Sequence, residues 1–173
     1  MAMTPSLATL RAAIKLEIQT ALYVTTPASV LVVHSFRRWW NDAFKFQALF
    51  KRSDAGAGVW NGLVNWYPFT SLRRRPVEAA ERWLYYRLTT WQVEAFAGMQ
   101  DRSGKPTEET FQDQLETVAD RFRNNATIFG NREKTLADVE VADVQMILVG
   151  DLTCWRAVMS FETESLETKT ETP

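Results

Sequence analysis

The stretch that decides the fold is VEVADVQMILVGDLTCWRAVMSFE, residues 139–162. Its two halves are apolar and β-branched, and a Gly150-Asp151 pair of hairpin type separates them. In the second half Trp155, Ala157, Met159 and Phe161 fall on one face, and Cys154, Arg156, Val158 and Ser160 on the other. A period of two is the signature of a strand with one face toward a core. The stretch therefore predicts an antiparallel hairpin of strands at 139–149 and 152–162.

Working outward, residues 82–96 predict a long partner strand. Trp83, Tyr85, Arg87, Thr89, Trp91, Val93 and Ala95 alternate with Leu84, Tyr86, Leu88, Thr90, Gln92, Glu94 and Phe96, and the aromatic and β-branched content favours sheet. Between this strand and the hairpin lies a clear helix. Thr107 is a capping residue, Glu108 and Glu109 suit the positive end of the dipole, and Phe111, Leu115, Val118 and Phe122 recur at helical spacing to about Asn124. Near the N-terminus, Leu7, Leu10, Ile14, Ile18, Ala21 and Leu22 follow Thr4-Pro5-Ser6 and predict an amphipathic helix. The run Val30 to Val33, ending at His34, predicts a short buried strand.

The fold class expected is α+β: a mostly antiparallel sheet of about four to five strands, with the N-terminal helix and the second long helix packed on it. Residues 1–161 are expected to form a single domain. Residues 36–81 are expected to be an irregular basic and aromatic excursion, and 162–173 a flexible polar C-terminal tail rich in Thr and Glu.

The chain has 173 residues, with 20 basic and 21 acidic side chains. That near-neutrality is a cancellation. Through Arg87 there are 12 basic and 5 acidic residues, a net of +7; the remainder holds 8 basic and 16 acidic, a net of −8. Most of the positive excess lies at 36–75, with eight basic residues and two acidic. A wholly basic polyanion binder is excluded, but oppositely charged halves suit copies that dock on one another or on unlike partners.

Motifs of chemistry are few. With one Cys (Cys154) and one His (His34), the chain cannot assemble a Cys/His zinc set or an internal disulfide. It carries no phosphate-cradling glycine loop, no Cys-x-x-Cys and no nucleophile elbow. His34 and Cys154 read as structural residues. The acidic stripe Glu108, Glu109, Asp113, Glu116 and Asp120 reads as a solvated helix face. No enzyme, metal or cofactor is expected. The N-terminal helix is broken by Arg11, Lys15 and Glu17, so it does not read as a signal peptide, and a soluble protein made in a reducing interior is expected.

The candidate binding residues are Arg37, Arg38, Trp39, Trp40, Trp60, Trp66, Arg73, Arg74 and Arg75. Arginine beside tryptophan serves equally as a protein-interface anchor or as a phosphate-neutralising, base-stacking surface for single-stranded nucleic acid. A small nucleic-acid-binding protein is thus one reading of that segment.

Three stretches carry a family resemblance: Trp91-Gln92-Val93-Glu94-Ala95-Phe96, residues 107–122 with Phe111-Gln112 and Asp120-Arg121-Phe122, and Leu152-Thr153-Cys154-Trp155-Arg156-Ala157-Val158. With the order of elements, they resemble the tail terminator (tail completion, neck) proteins of long-tailed bacteriophages. The resemblance implies a small α/β subunit and a homohexameric ring in the virion neck, assembled in the host cytoplasm. Such a ring caps the tail tube, ends tail polymerisation and offers the head-attachment interface. Its implied partners are copies of itself, the tail tube protein, a head completion or connector protein and, in a contractile tail, the sheath protein, with DNA only passing through the ring. A head completion or connector protein of the neck would share the ring and its neighbours. The segment 36–77 is longer than the family usually shows.

Overall fold

The computed structural model describes residues 6–23, 31–35, 38, 40–50, 61–65, 73–76, 84–98, 107–124, 127–128, 133–135, 139–150 and 152–168. The elements in chain order are α1 (Leu7–Leu22), β1 (Leu31–His34), α2 (Ala43–Phe50), β2 (Asn61–Asn65), β3 (Arg73–Pro76), β4 (Leu84–Gly98), α3 (Thr107–Asn124), β5 (Thr127–Ile128), β6 (Glu133–Thr135), β7 (Glu140–Val149) and β8 (Leu152–Thr168).

The fold is α+β with a mostly antiparallel sheet, an N-terminal helix and a second long helix packed on it. Its spine is β4 against β8, antiparallel and in unbroken register from Leu84↔Thr168 to Gly98↔Cys154. At roughly 3.3 Å per residue the ladder is about 50 Å long. Each long strand carries two shorter ones end to end on its outer edge. On β4 these are β3, opposite residues 85–88, and β2, opposite 93–97; on β8 they are β6, opposite 163–165, and β7, opposite 152–160. β1 adds to β2 in the one parallel pairing among the described residues, and β5 adds to β6. Among the described residues the sheet thus has eight strands. The four legible in the sequence are β1, β4, β7 and β8; the other four are two to five residues each.

Alternation assigns the two faces. Trp91, Val93, Ala95 and Ala97 pair with Phe161, Met159, Ala157 and Trp155, so all point to one side, where α1 and α3 lie. There they meet Leu10, Ile14, Ile18 and Leu22 of α1, and Phe111, Leu115, Val118 and Phe122 of α3. Phe122 stacks on Phe161 with ring centroids 4.5 Å apart. The helix starts and seams follow from local chemistry. Ser6 caps α1 by accepting the Thr9 N–H at 3.1 Å, and Arg121 of α3 donates to Glu17 of α1 at 2.7 Å.

Two expectations are corrected. Residues 162–168 are not a tail: they continue β8, paired with β4 on one side and β6 on the other. Thr163 supplies one reason, since it is fully buried beside Thr89, between Glu162 and Glu164, and accepts the Trp91 indole N–H at 2.9 Å. Residues 169–173 lie outside the described residues. Nor is the excursion at 36–81 irregular where it is described. It contributes α2, β2 and β3, and its two strands complete the β4 edge of the sheet.

Candidate interaction surface

The face of the sheet opposite α1 and α3 holds the chain's chemically distinctive groups. At one end α2 covers it. Asp42 starts this helix by accepting the Lys45 N–H at 2.7 Å, which turns Phe46 inward onto Phe96, Cys154 and Val149. Trp40 completes an edge-to-face cluster, with centroids 5.1 Å from both Phe46 and Phe96. Burial pushes the Cys154 thiol up to about 12, so it remains protonated and is no nucleophile at neutral pH.

His34 ties β1 to α2, its Nε2–H donating to the Leu49 carbonyl at 2.8 Å. Burial holds its pKa below the ordinary value, and the positive Arg38 and Lys15 push the same way, against the carbonyl bond that favours the charged form. Further along this face Glu94, almost wholly buried, accepts from Arg156 Nε at 2.7 Å. The pair is a satisfied ionic cross-strand contact. It leaves Glu94 as a held carboxylate rather than an available base. Among the described residues no group of three His, Cys, Asp or Glu side chains could hold a metal ion, and no helix is long and apolar enough to cross a membrane.

The predicted binding residues divide. Arg37, Trp39, Trp60 and Trp66 lie outside the described residues. Arg38 is half-buried near His34, and Trp40 is half-buried within the aromatic cluster, so it has a packing role. Arg73, Arg74 and Arg75 stand on β3 opposite Leu88, Arg87 and Tyr86. Trp40 reaches β4 at Phe96, whereas Arg74 pairs at Arg87. Those positions are about 30 Å apart along the strand. Trp40 and the arginine triplet therefore do not form one Arg/Trp patch.

What the sequence reading missed is an uncovered apolar strand. β7 pairs with β8 and with no other described strand. On its far half Met146 and Leu148 stand opposite Trp155 and Thr153, at 57% and 72% exposure, and Val144 is 43% exposed. Ile147 and Val149 point the other way, into the α2 cluster. The signal was present in the sequence: 144–149 reads VQMILV, in which Val144, Met146 and Leu148 alternate with Gln145, Ile147 and Val149, so that from Met146 onward both faces are apolar, whereas a strand with one solvated face carries polar residues on that face. A bulge between Ala142 and Gln145, with Asp143 at φ +53°, re-aims the strand at the start of this half. Gly150, at φ +67°, closes the hairpin so tightly against α2 that a Cβ there would lie 2.8 Å from the Ala43 Cβ. Next to Ala43, Phe44 is 81% exposed.

No family model matches the chain, and no curated protein matches it. Among the solved structures similar to the chain, one aligns with 94% of this chain and 96% of its own, at 16% identity and a TM-score of 0.45.

Proposed function

We propose that this chain is a virion structural protein of the bacteriophage neck, which forms a ring that caps the tail tube and presents the head-attachment surface. The observation that carries a binding role is the uncovered apolar half of β7, the kind of surface that a partner chain buries. The family resemblance supports the more specific reading. Its three stretches fall on β4, α3 and β8, the elements that pair and pack around Trp91, Phe122 and Phe161. The charge asymmetry supports ring closure, because heterologous contacts that close a ring need unlike, complementary surfaces on each copy, and halves of opposite sign supply them.

Native mass spectrometry of the full chain, alone and with purified tail-tube protein, tests the reading. A closed homo-oligomer that takes up tube protein is expected. A monomer whose mass is unchanged by tube protein overturns it.

A further inference from the structure

We infer that the two lateral edges of the sheet are the two halves of one self-association contact: the β7 edge of one copy adds onto the β1 edge of the next, giving a continuous antiparallel sheet across the boundary. The inference rests on the ring reading above for closure, and goes beyond it in naming the strands and their register.

Direction is the first argument. Following the pairings from β1 through β2, β4 and β8 to β7, β1 and β7 are the outer strands of this end of the sheet among the described residues and run in opposite directions. A β7 laid beside the β1 of a second copy in the same sheet sense is therefore antiparallel to it. That is the more stable pairing, and it needs no crossover.

Face matching is the second. Val33 of β1 and Met146 and Leu148 of β7 all belong to the side that carries α1 and α3. Setting residues 31–34 against 148–145 keeps every residue on its own face, with Val33 opposite Met146. A slip by one residue would turn Met146 and Leu148 away from that side. In this register the two exposed side chains extend the apolar layer beneath the neighbour's α1, which packs on β1. Their burial is what a self-pairing of two β7 strands would not provide, because each copy's β7 lies at the edge away from α1.

Charge supplies the third. In the same register His34 and Ser35 stand beside Gln145 and Val144. The positive Arg38 and Lys15 lie near His34, while Glu140 and Asp143 are exposed at the start of β7. Opposite charges then meet at the end of the ladder, whereas two β7 strands carry acidic residues only. The contact is heterologous, so each copy has one donor and one acceptor edge and the assembly grows until it closes.

The test uses an engineered disulfide in the full chain. Ser35 and Val144 stand opposite one another across the proposed boundary, and the native Cys154 is buried. Under oxidation Ser35→Cys/Val144→Cys should give a ladder of disulfide-linked multimers on non-reducing gels, and each single variant should give none. Dimers from Val144→Cys alone would show β7 pairing with itself and overturn the inference. Met146→Glu/Leu148→Glu should run as a monomer at concentrations where the wild type assembles, with thermal unfolding equal to that of the wild type at dilutions where both are monomeric; assembly of wild-type size would overturn it. A wild-type ring that forms without the disulfide ladder refutes this contact alone, whereas a monomeric wild type refutes the ring as well.

Discussion

The face of the sheet under α1 and α3 and the face under α2 differ in how their stability is distributed. Among the described residues, eighteen buried ones on the first face form one cluster, which aromatic and aliphatic side chains dominate. On the second, four buried described residues and three half-buried ones make a small cluster at one end, and the middle of the face is held by the Glu94–Arg156 pair. Burial of apolar area scales with the number of large side chains removed from water, so the first face should set global stability. The second should set how α2 and the hairpin end sit on the sheet.

The sharpest way to break that contrast is to truncate a ring on each face. Phe122→Ala removes the partner of Phe161 from the larger cluster and should cost about 3 to 5 kcal/mol in denaturant unfolding. Trp40→Ala, half-buried on Phe46 and Phe96, should cost about half as much. A larger loss at Trp40 than at Phe122 would show that the α2 face, not the long-helix face, holds the fold together.

Gly150→Ala probes the closure of the hairpin on α2. It forces an L side chain into the left-handed region, costing about 1 to 2 kcal/mol, and drives a Cβ to 2.8 Å from the Ala43 Cβ. Overpacking of this kind adds about 1 to 3 kcal/mol. Because the clash is with the start of α2, proteolysis should speed up at 43–50 before the rest of the chain opens. Uniform destabilisation without preferential cleavage there would mean that α2 and the long-helix face unfold as one unit.

The contrast also explains what could be read from the sequence. The elements of the long-helix face were legible because each carries its own periodicity: Leu10, Ile14, Ile18 and Leu22 on α1, Phe111 to Phe122 on α3, and Trp155 to Phe161 on β8. The strands β2 and β3 were not, since NGLVN and RRRP have no alternation of their own and become strands by pairing with β4. Residues 162–168 read as solvent-loving because Thr and Glu dominate them. What the sequence hides is the burial of Thr163, whose hydroxyl accepts from the Trp91 indole across the ladder, a relation between positions 72 residues apart. The interaction surface was half legible. The apolar run 144–149 was visible as strand, but whether its second face is covered depends on which strand lies at the sheet edge, and topology alone decides that.

Glu94→Ala examines the polar centre of the second face. It strips the nearly buried carboxylate from the Arg156 guanidinium, which retains partial access to water, so the loss should be about 1 to 3 kcal/mol rather than that of a fully buried broken pair. Glu94→Gln, which keeps an acceptor for Nε, should recover part of it. If both variants unfold like the wild type, the pair contributes nothing and the second face rests on its aromatic cluster alone.

The smallest effect belongs to His34. Burial depresses its pKa in the folded chain, and the unfolded chain titrates near the ordinary 6.5. Below that value the unfolded state binds a proton that the folded state resists, so the unfolded state gains as pH falls, and the stabilisation present above 6.5 is lost progressively beneath it. The slope cannot exceed about 1.4 kcal/mol per pH unit for one proton. His34 is the only histidine in the chain, and carboxylates titrate mostly below pH 5, so the window between pH 5.5 and 6.5 isolates it. Denaturant midpoints should fall across that window in the wild type and stay flat in His34→Gln. Protonation keeps the Nε2–H bond to the Leu49 carbonyl but leaves a charge poorly hydrated where β1 meets α2, and opening that seam hydrates it, so α2 should also loosen in hydrogen exchange while α1 and α3 stay protected. Equal loosening of α3 would mean that the two faces of the sheet are not separable, and the contrast drawn between them would fail.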